Sequence, residues 1–280
     1  CDLPISDHEV FKDCGVGVPG IMMIAWPDKW YHTSGDVVDK ADPTQLKRAA
    51  IIGAAGAYTV ASADTDMAIR IAGETASNAT RRLGHQLVAA METLNNAKVE
   101  SLADDFKTAR WTIEATVMNE KETLDTAAEL APKQAELSSY VASMKKSVDA
   151  VGAAELAALD AHMMTVSRKL GVKPVQVVLT DAEKKAAKLV PRPTAKVREN
   201  GYGEYRKLID KIPAAEKAKY PTQGKDLMLA NASELQLLVN GKHSVLDIKK
   251  MLDAQSERKS TLPAILNHLQ ILKLAGLVEW

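Results

Sequence analysis

The chain has 280 residues, of which 46% are apolar, 26% are charged and only 4% are aromatic, and its 36 acidic side chains balance its 36 basic ones. This composition argues against a disordered chain, and the zero net charge gives no overall electrostatic signature of a nucleic-acid-binding protein. No stretch reaches the ~18 consecutive apolar residues of a transmembrane helix, so we expect no membrane association. Abundant alanine and few aromatic residues favour helix-on-helix packing over a β-sandwich.

The first residues do not resemble a signal peptide, because they lack a basic segment followed by an apolar one. Cys1 and Cys14 form no CxxC pair, so they predict neither a zinc ribbon nor a disulfide framework, and they leave the redox compartment open. The chain opens without a methionine and runs directly into a motif, which we interpret as a chain cut within a domain.

Residues 1–62 are predicted to be α/β. The run from Gly20 to Trp26 is apolar on both faces and lies between two prolines, which is typical of a buried parallel strand, although a buried helical turn has the same pattern. A polar loop follows, and Asp42-Pro43 then predicts a helix start, because aspartate caps free backbone N–H groups and proline suits the first helical position. Because a parallel sheet needs neighbours on both sides, we expect residues 1–62 to be partly exposed.

Residues 63–180 are predicted to be long amphipathic helices that form a bundle or an arm. Apolar residues recur at intervals of three and four, a spacing typical of coiled-coil-like packing. Three helices of this length favour an antiparallel bundle. The stripes are Leu83, Leu87, Met91 and Leu94; Phe106, Ile113, Val117 and Leu124; and Leu137, Val141, Met144, Val148 and Val151, followed, after a slip near Gly152, by Leu159, Met163, Val166 and Leu170.

The end of the chain is predicted to be a small, separate unit. Proline and glycine in residues 181–224 indicate a linker or an irregular helical region. Residues 225–280 carry helix signals over 226–239, 244–253 and 262–274, and residues 276–280 are predicted to form a terminal strand. Three short helices and a strand suggest a winged-helix-like domain.

The residues that suggest chemistry lie near the start of the chain. Ser6-Asp7-His8 is followed by Gly17-Val18-Pro19, by the apolar run, and by Tyr31-His32-Thr33-Ser34-Gly35-Asp36. Over roughly residues 5–62, this order resembles the C-terminal end of the catalytic domain in the dizinc aminopeptidase family, which also contains glutamate carboxypeptidase and glutaminyl cyclase. The rest of the chain matches no part of that catalytic core.

The resemblance implies that His32 is the last of the family's zinc ligands. A neutral imidazole is a good zinc ligand, and α/β folds place their sites in loops that follow parallel strands. Asp36 would support the loop or hydrogen-bond to groups around the metal. Asp7, His8 and Tyr31 would lie on the substrate side and would not bind metal.

The other family ligands (one histidine, two aspartates and one glutamate) and the glutamate general base lie upstream of the Ser-Asp-His element. We therefore expect no catalytic base in this chain, a site for two zinc ions that only the intact protein completes, and no activity in this chain alone. In the intact protein, a metal-activated water would hydrolyse the peptide bond. The remaining histidines do not replace the missing ligands, because they lie singly on separate predicted helices without HxxxH or HExxH spacing: His85, His162, His243 and His268.

The resemblance implies a peptide substrate and an extracytoplasmic location, and the helical region could mediate a homo-oligomer. One alternative is a non-catalytic helical interaction module that keeps a relic of the peptidase domain. A weaker alternative is a winged-helix DNA-binding regulator that uses the helix over 262–274. Only a modest basic patch lies near that helix, so we expect a structural or protein-contact role for this unit and no nucleic-acid binding. The patch consists of Lys249, Lys250, Arg258 and Lys259.

Overall fold

The computed structural model describes residue 11, residues 17–18, residues 20–203 and residues 205–280. The described part is mostly helical, and its sheet consists of two short strands. The helices are α1 (Pro43–Ala61), α2 (Thr65–Asn95), α3 (Leu102–Ala127), α4 (Ala135–Leu170), α5 (Asp181–Ala186), α6 (Ala195–Asn200), α7 (Tyr205–Asp210), α8 (Ala214–Lys217), α9 (Ala232–Leu238), α10 (Val245–Gln255) and α11 (Leu262–Leu274). The strands are β1 (Arg192–Pro193) and β2 (Val278–Glu279), and a 3-10 turn, Val38–Lys40, precedes α1.

The three long helices α2, α3 and α4 form a bundle, as the apolar stripes predict. Asp64 starts α2 by accepting a hydrogen bond from the Met67 N–H, and Gly171 ends α4 in a left-handed conformation with φ of 69°. The shared core is built from fully buried leucine, isoleucine and methionine side chains, and small alanines on α2 bring its neighbours close. These residues include Ala68, Ala72, Ala79, Leu83, Leu94, Ile113, Leu124, Leu137, Leu159 and Met163.

The slip in the apolar stripe of α4 has a packing cause. A Cβ atom added at Gly152 would overlap the Val117 side chain on α3, so only glycine lets the two helices approach this closely. Ion pairs flank the same seam: Lys121 Nζ lies 2.7 Å from Asp149 Oδ1, and Arg110 pairs with Asp160. Helices α3 and α4 therefore run antiparallel in contact over most of their length.

The C-terminal unit combines α9, α10, α11 and the small sheet around one core. Strand β1 pairs antiparallel with β2, Pro193 opposite Val278. Helix α9 begins at Ala232, later than predicted, because Asn231 caps it and Asp226 has a left-handed φ of 61° that a helix cannot include. The described residues between 181 and 224 contain four short helices and β1. The buried side chains of Ala186, Val197 and Tyr202 belong to this core, and Leu189, Tyr205, Leu208 and Ile209 pack against it.

The bundle and the C-terminal unit share core residues and charged contacts. Trp111 and Ala115 project from α3 into the C-terminal core. Lys250 Nζ on α10 lies 2.7 Å from Glu114 Oε2 on α3, and Lys107 Nζ on α3 lies 2.5 Å from Glu183 Oε1 on α5. Helix α10 of the C-terminal unit consequently packs along α3.

The buried strand predicted over Gly20–Trp26 is wrong for the described chain. These residues belong to no strand, and Ile21 is 83% exposed. A strand needs neighbours to accept its backbone hydrogen bonds, and the described residues place none beside this segment. Helix α1 forms where Asp42-Pro43 predicts it, but it has no buried residue. Within the described residues 20–62, the predicted α/β region therefore consists of one exposed helix and the loop that precedes it, and it contains no strand.

Candidate functional site

The loop that carries His32 is held by its own polar side chains. The Trp30 N–H donates to Asp28 Oδ1 at 2.8 Å. The Thr33 hydroxyl donates to the Trp30 carbonyl at 2.6 Å and accepts from the Gly35 N–H at 3.2 Å. Local bonds of this kind build tight turns independently of a surrounding domain. The loop therefore has a defined shape although its surroundings are open.

His32 occupies an exposed position with unusual backbone geometry. Its φ is 58°, a left-handed conformation in which histidine is enriched relative to most non-glycine residues. Its ring stacks on Tyr31 with centroids 3.8 Å apart, and the rings of Tyr31 and Trp26 are T-shaped to each other with centroids 5.7 Å apart. A left-handed non-glycine residue costs about 1–3 kcal/mol. The loop thus presents a stacked imidazole to solvent at an energetic cost.

The described residues do not gather a set of metal ligands around His32. Asp36 is exposed, and its N–H donates to the Thr33 carbonyl at 3.2 Å. No group of three or more His, Cys, Asp or Glu side chains with metal-binding geometry occurs in the described part of the chain. Asp7 and His8, predicted on the substrate side, lie outside the described residues, as do Cys1 and Cys14. His32 alone cannot complete a zinc site, which needs about three protein ligands.

The other histidines have separate structural surroundings. His268 on α11 is buried, and desolvation lowers its pKa to about 4, so it is neutral at ordinary pH. His162 lies 2.9 Å from Asn95 Oδ1, which ties α4 to α2. His243 Nε2 lies 3.0 Å from Glu122 Oε1 without hydrogen-bond geometry. His85 is exposed on α2. The four are dispersed, as their sequence positions predict.

Three glutamates are buried within the described part of the chain. Burial raises the pKa of Glu155 on α4, whose Oε2 has no hydrogen-bond partner among the described residues. For Glu183, burial would raise the pKa, but hydrogen bonds from Lys107 and from Thr180 outweigh it and lower the pKa. Glu120 on α3 is buried and accepts hydrogen bonds from both Nε and Nη2 of Arg82, each at 2.6 Å. Glu120 and Glu183 are thus paired, and Glu155 is the buried acid without a charged partner.

The Arg82–Glu120 pair borders a cleft of about 220 Å³ between α2, α3 and α10. Its walls combine polar side chains with a small apolar surface, and they come from three helices. They include Arg82, His85, Gln86, Thr116, Asn119, Glu120, Ala115, Met251, Ala254 and Gln255. Sequence reasoning missed this cleft. The one available signal was Glu120, an acid at the stripe position between Val117 and Leu124.

Helix α11, the helix that would contact DNA in the weaker alternative, is largely covered by the rest of its unit. Its Ile265, Leu269 and Leu272 are buried, and Asn267 donates to the Pro221 carbonyl at 2.7 Å. The nearby basic residues are also engaged: Lys249 with Asp253 at 2.6 Å, Lys250 with Glu114 at 2.7 Å, and Lys259 with the Asp253 carbonyl at 2.5 Å. Three of the four residues of the predicted basic patch therefore make their charged contacts within the chain, which leaves them less available to DNA phosphates.

Comparison with protein-family models, with curated proteins and with solved structures gives no match. Within the described residues, no helix is both long enough and apolar enough to cross a membrane.

Proposed function

We propose that residues 1–62 are the C-terminal end of the catalytic domain of a zinc-dependent exopeptidase of the aminopeptidase type, and that this chain alone is inactive. The observation that carries the proposal is the ordered series of Ser6-Asp7-His8, Gly17-Val18-Pro19 and Tyr31-His32-Thr33-Ser34-Gly35-Asp36. The well-formed loop with His32 exposed at its surface supports it. The general base and the remaining ligands would be supplied by a preceding part of the intact protein.

The large exposed apolar surface of residues 20–61 also supports this proposal. Soluble monomers rarely expose contiguous apolar patches of more than a few hundred Å², and larger ones mark contact sites. Helix α1 carries no charge after Arg48, and the Met23 side chain lies beside Gly53 of α1. The exposed large apolar side chains of this range are Ile21, Met23, Ile24, Trp26, Val37, Val38, Leu46, Ile51, Ile52, Tyr58 and Val60. A parallel sheet contributed by the preceding part of the domain would cover these side chains.

In the proposed enzyme, His32 binds one zinc ion and Asp36 supports the loop. Tyr31 fixes the imidazole orientation by stacking, and with Asp7 and His8 it lies on the substrate side. Two zinc ions would supply Lewis acidity and an activated water for hydrolysis of the peptide bond. The proposed substrate is a peptide, the proposed location is extracytoplasmic, and the helical region is a proposed site of homo-oligomerisation.

The test is the zinc content of the purified, dialysed chain, measured together with hydrolysis of aminoacyl p-nitroanilides. We expect well under one zinc per chain and no hydrolysis. We also expect the preceding coding sequence of the parent gene to contain a His-x-Asp segment, a Glu-Glu pair and a further Asp. Two tightly held zinc ions in this chain, or a preceding sequence without these residues, would refute the proposal.

The second candidate is a non-catalytic helical interaction module, which retains residues 1–62 as a relic. The observation in its favour is that the well-packed described part of the chain is the helical bundle with its C-terminal unit. A preceding sequence without the expected zinc ligands would favour it. The DNA-binding alternative is the weakest, because Lys249, Lys250 and Lys259 are engaged within the chain. Salt-sensitive binding to duplex DNA would support it.

A further inference from the structure

One contact between the C-terminal unit and the bundle involves a histidine, the side chain whose charge ordinarily changes between about pH 5 and 8. His243 lies in the turn that precedes α10 and is only 7% exposed. Its Nε2 atom lies 3.0 Å from Oε1 of Glu122 on α3, but the two groups lack hydrogen-bond geometry. Within the part of the chain that the structure describes, Glu122 is the one carboxylate within 4.0 Å of this imidazole. The strength of this contact therefore depends on whether the imidazole is protonated.

The histidine is held in place by the backbone around it. The His243 N–H donates to Asn240 Oδ1 at 3.1 Å, and the next residue, Ser244, caps α10 with its hydroxyl. The Val245 N–H donates to the Leu189 carbonyl at 2.8 Å, which fixes this turn against the segment that leads to β1. Moving the imidazole away from α3 would break these hydrogen bonds.

Glu122 lacks a permanently charged partner. Among the described residues it pairs with no lysine or arginine, and its side chain is 42% exposed, so its carboxylate stays partly hydrated beside the imidazole. The other charged groups on the neighbouring elements are mostly engaged: Lys121 with Asp149, Asp125 with Lys145, Lys250 with Glu114, Asp247 with Ser244, and Arg192 with Glu279. Lys188 and Lys242 are exposed without an ion-pair partner in the described ranges, and solvent and salt screen their charges. Protonated His243 is thus the cation that Glu122 faces.

We infer that His243 and Glu122 form a pH-sensitive latch, which holds the C-terminal unit to the bundle more strongly at pH 5.5 than at pH 7.5. An imidazolium that donates to a carboxylate makes a charge-assisted hydrogen bond, which is roughly twice as strong as a neutral one. The stabilisation is present while the imidazole is protonated and is lost as the pH rises and the proton leaves. The latch is separate from the His32 loop, so it stands or fails independently of the proposed hydrolytic function.

The test is a double-mutant cycle on the full chain with His243→Gln, Glu122→Gln and the double variant. Urea denaturation at pH 5.5 and at pH 7.5 gives the unfolding equilibrium constant of each chain. At pH 5.5 we expect a coupling of about fivefold in this constant, the effect of an ion pair of ~1 kcal/mol. At pH 7.5 we expect a coupling of less than about twofold. The cycle cancels the titration of His268, because all four chains contain that residue.

A matched control lies on the same two helices. Lys250 Nζ lies 2.7 Å from Glu114 Oε2, and a lysine and a glutamate ordinarily keep their charges between pH 5.5 and 7.5. The cycle of Lys250→Gln with Glu114→Gln should therefore give the same coupling at both pH values.

Three outcomes would overturn the inference. The first is a coupling between His243 and Glu122 that is equal at the two pH values or larger at pH 7.5. The second is a control cycle whose coupling changes with pH by the same factor. The third applies if circular dichroism shows that His243→Gln does not fold: Glu122→Gln alone should then reduce stability more at pH 5.5 than at pH 7.5, and an equal reduction would refute the latch.

Discussion

Two glycines of the bundle provide a matched test of the packing. Replacing a mid-helix glycine by alanine favours the helix by roughly 0.8–1 kcal/mol. At Gly84 on α2, an added Cβ meets no atom within 4 Å, so Gly84→Ala should increase the free energy of unfolding by about 0.5–1 kcal/mol. At Gly152 on α4, the same methyl group overlaps Val117. Overpacking costs about 1–3 kcal/mol, which exceeds the helical gain, so Gly152→Ala should destabilise the chain by up to about 2 kcal/mol.

The assay is urea denaturation followed by far-UV circular dichroism, with both variants compared with the parent chain. The double variant Gly152→Ala with Val117→Ala removes the overlapping methyl groups, so it should be more stable than the sum of the two single effects allows. If Gly152→Ala and Gly84→Ala shifted the unfolding midpoint equally and in the same direction, α3 and α4 would not approach as closely as described. That result would refute the packing argument.

Two further predictions concern burial. His268 has a pKa lowered to about 4 from an unfolded value of 6.5, so between these values the unfolded chain binds more protons and stability falls as the pH falls. His268→Gln should remove that part of the acid sensitivity, measured as urea midpoints near pH 7 and pH 4, and an unchanged pH profile would contradict it. The exposed apolar side chains of α1 should make the chain self-associate, and Ile51→Lys with Ile52→Glu should restore a monomer in sedimentation velocity. A parent chain that is monomeric at every concentration would contradict this second prediction.

The long helices could be predicted because their signal is local. The apolar stripes through Leu83, Ile113 and Leu159 repeat at helical spacing, and a side chain's position along one helix determines its burial. The slip near Gly152 was visible as a break in the repeat. The Val117 side chain that occupies the space beside Gly152 was not visible from the sequence, because this contact joins positions far apart in the chain.

The segment over Gly20–Trp26 shows the limit of apolar periodicity. Its composition indicates a preference for burial, but burial and strand pairing depend on partners, and the described residues provide none. The motif around His32 predicted a loop, and a loop is present. Whether Asp7 and His8 approach it stays a prediction, because they lie outside the described residues.

The interhelical cleft could not be predicted from sequence spacing. Arg82, Asn119 and Gln255 lie on three helices, and each resembles an ordinary solvent-facing polar residue when its own helix is considered. Glu120 and Glu155 occupy stripe positions, and that alone indicates a charge placed in a core. Their different surroundings, a bidentate arginine for Glu120 and no charged partner for Glu155, follow from helix rotation and depth, which a single sequence does not specify.

The shared core around Trp111 has a consequence for how this chain can change over evolution. Because Trp111 and Ala115 belong to a bundle helix but complete the C-terminal core, the C-terminal unit cannot be exchanged between proteins as an independent module without exposing apolar surface on both sides. Lys249 and Lys250 on α10, whose Nζ atoms lie 5.9 and 5.6 Å from the centroid of the Trp111 ring, would lose that contact. Bundle and C-terminal unit are therefore expected to be inherited, duplicated and lost together.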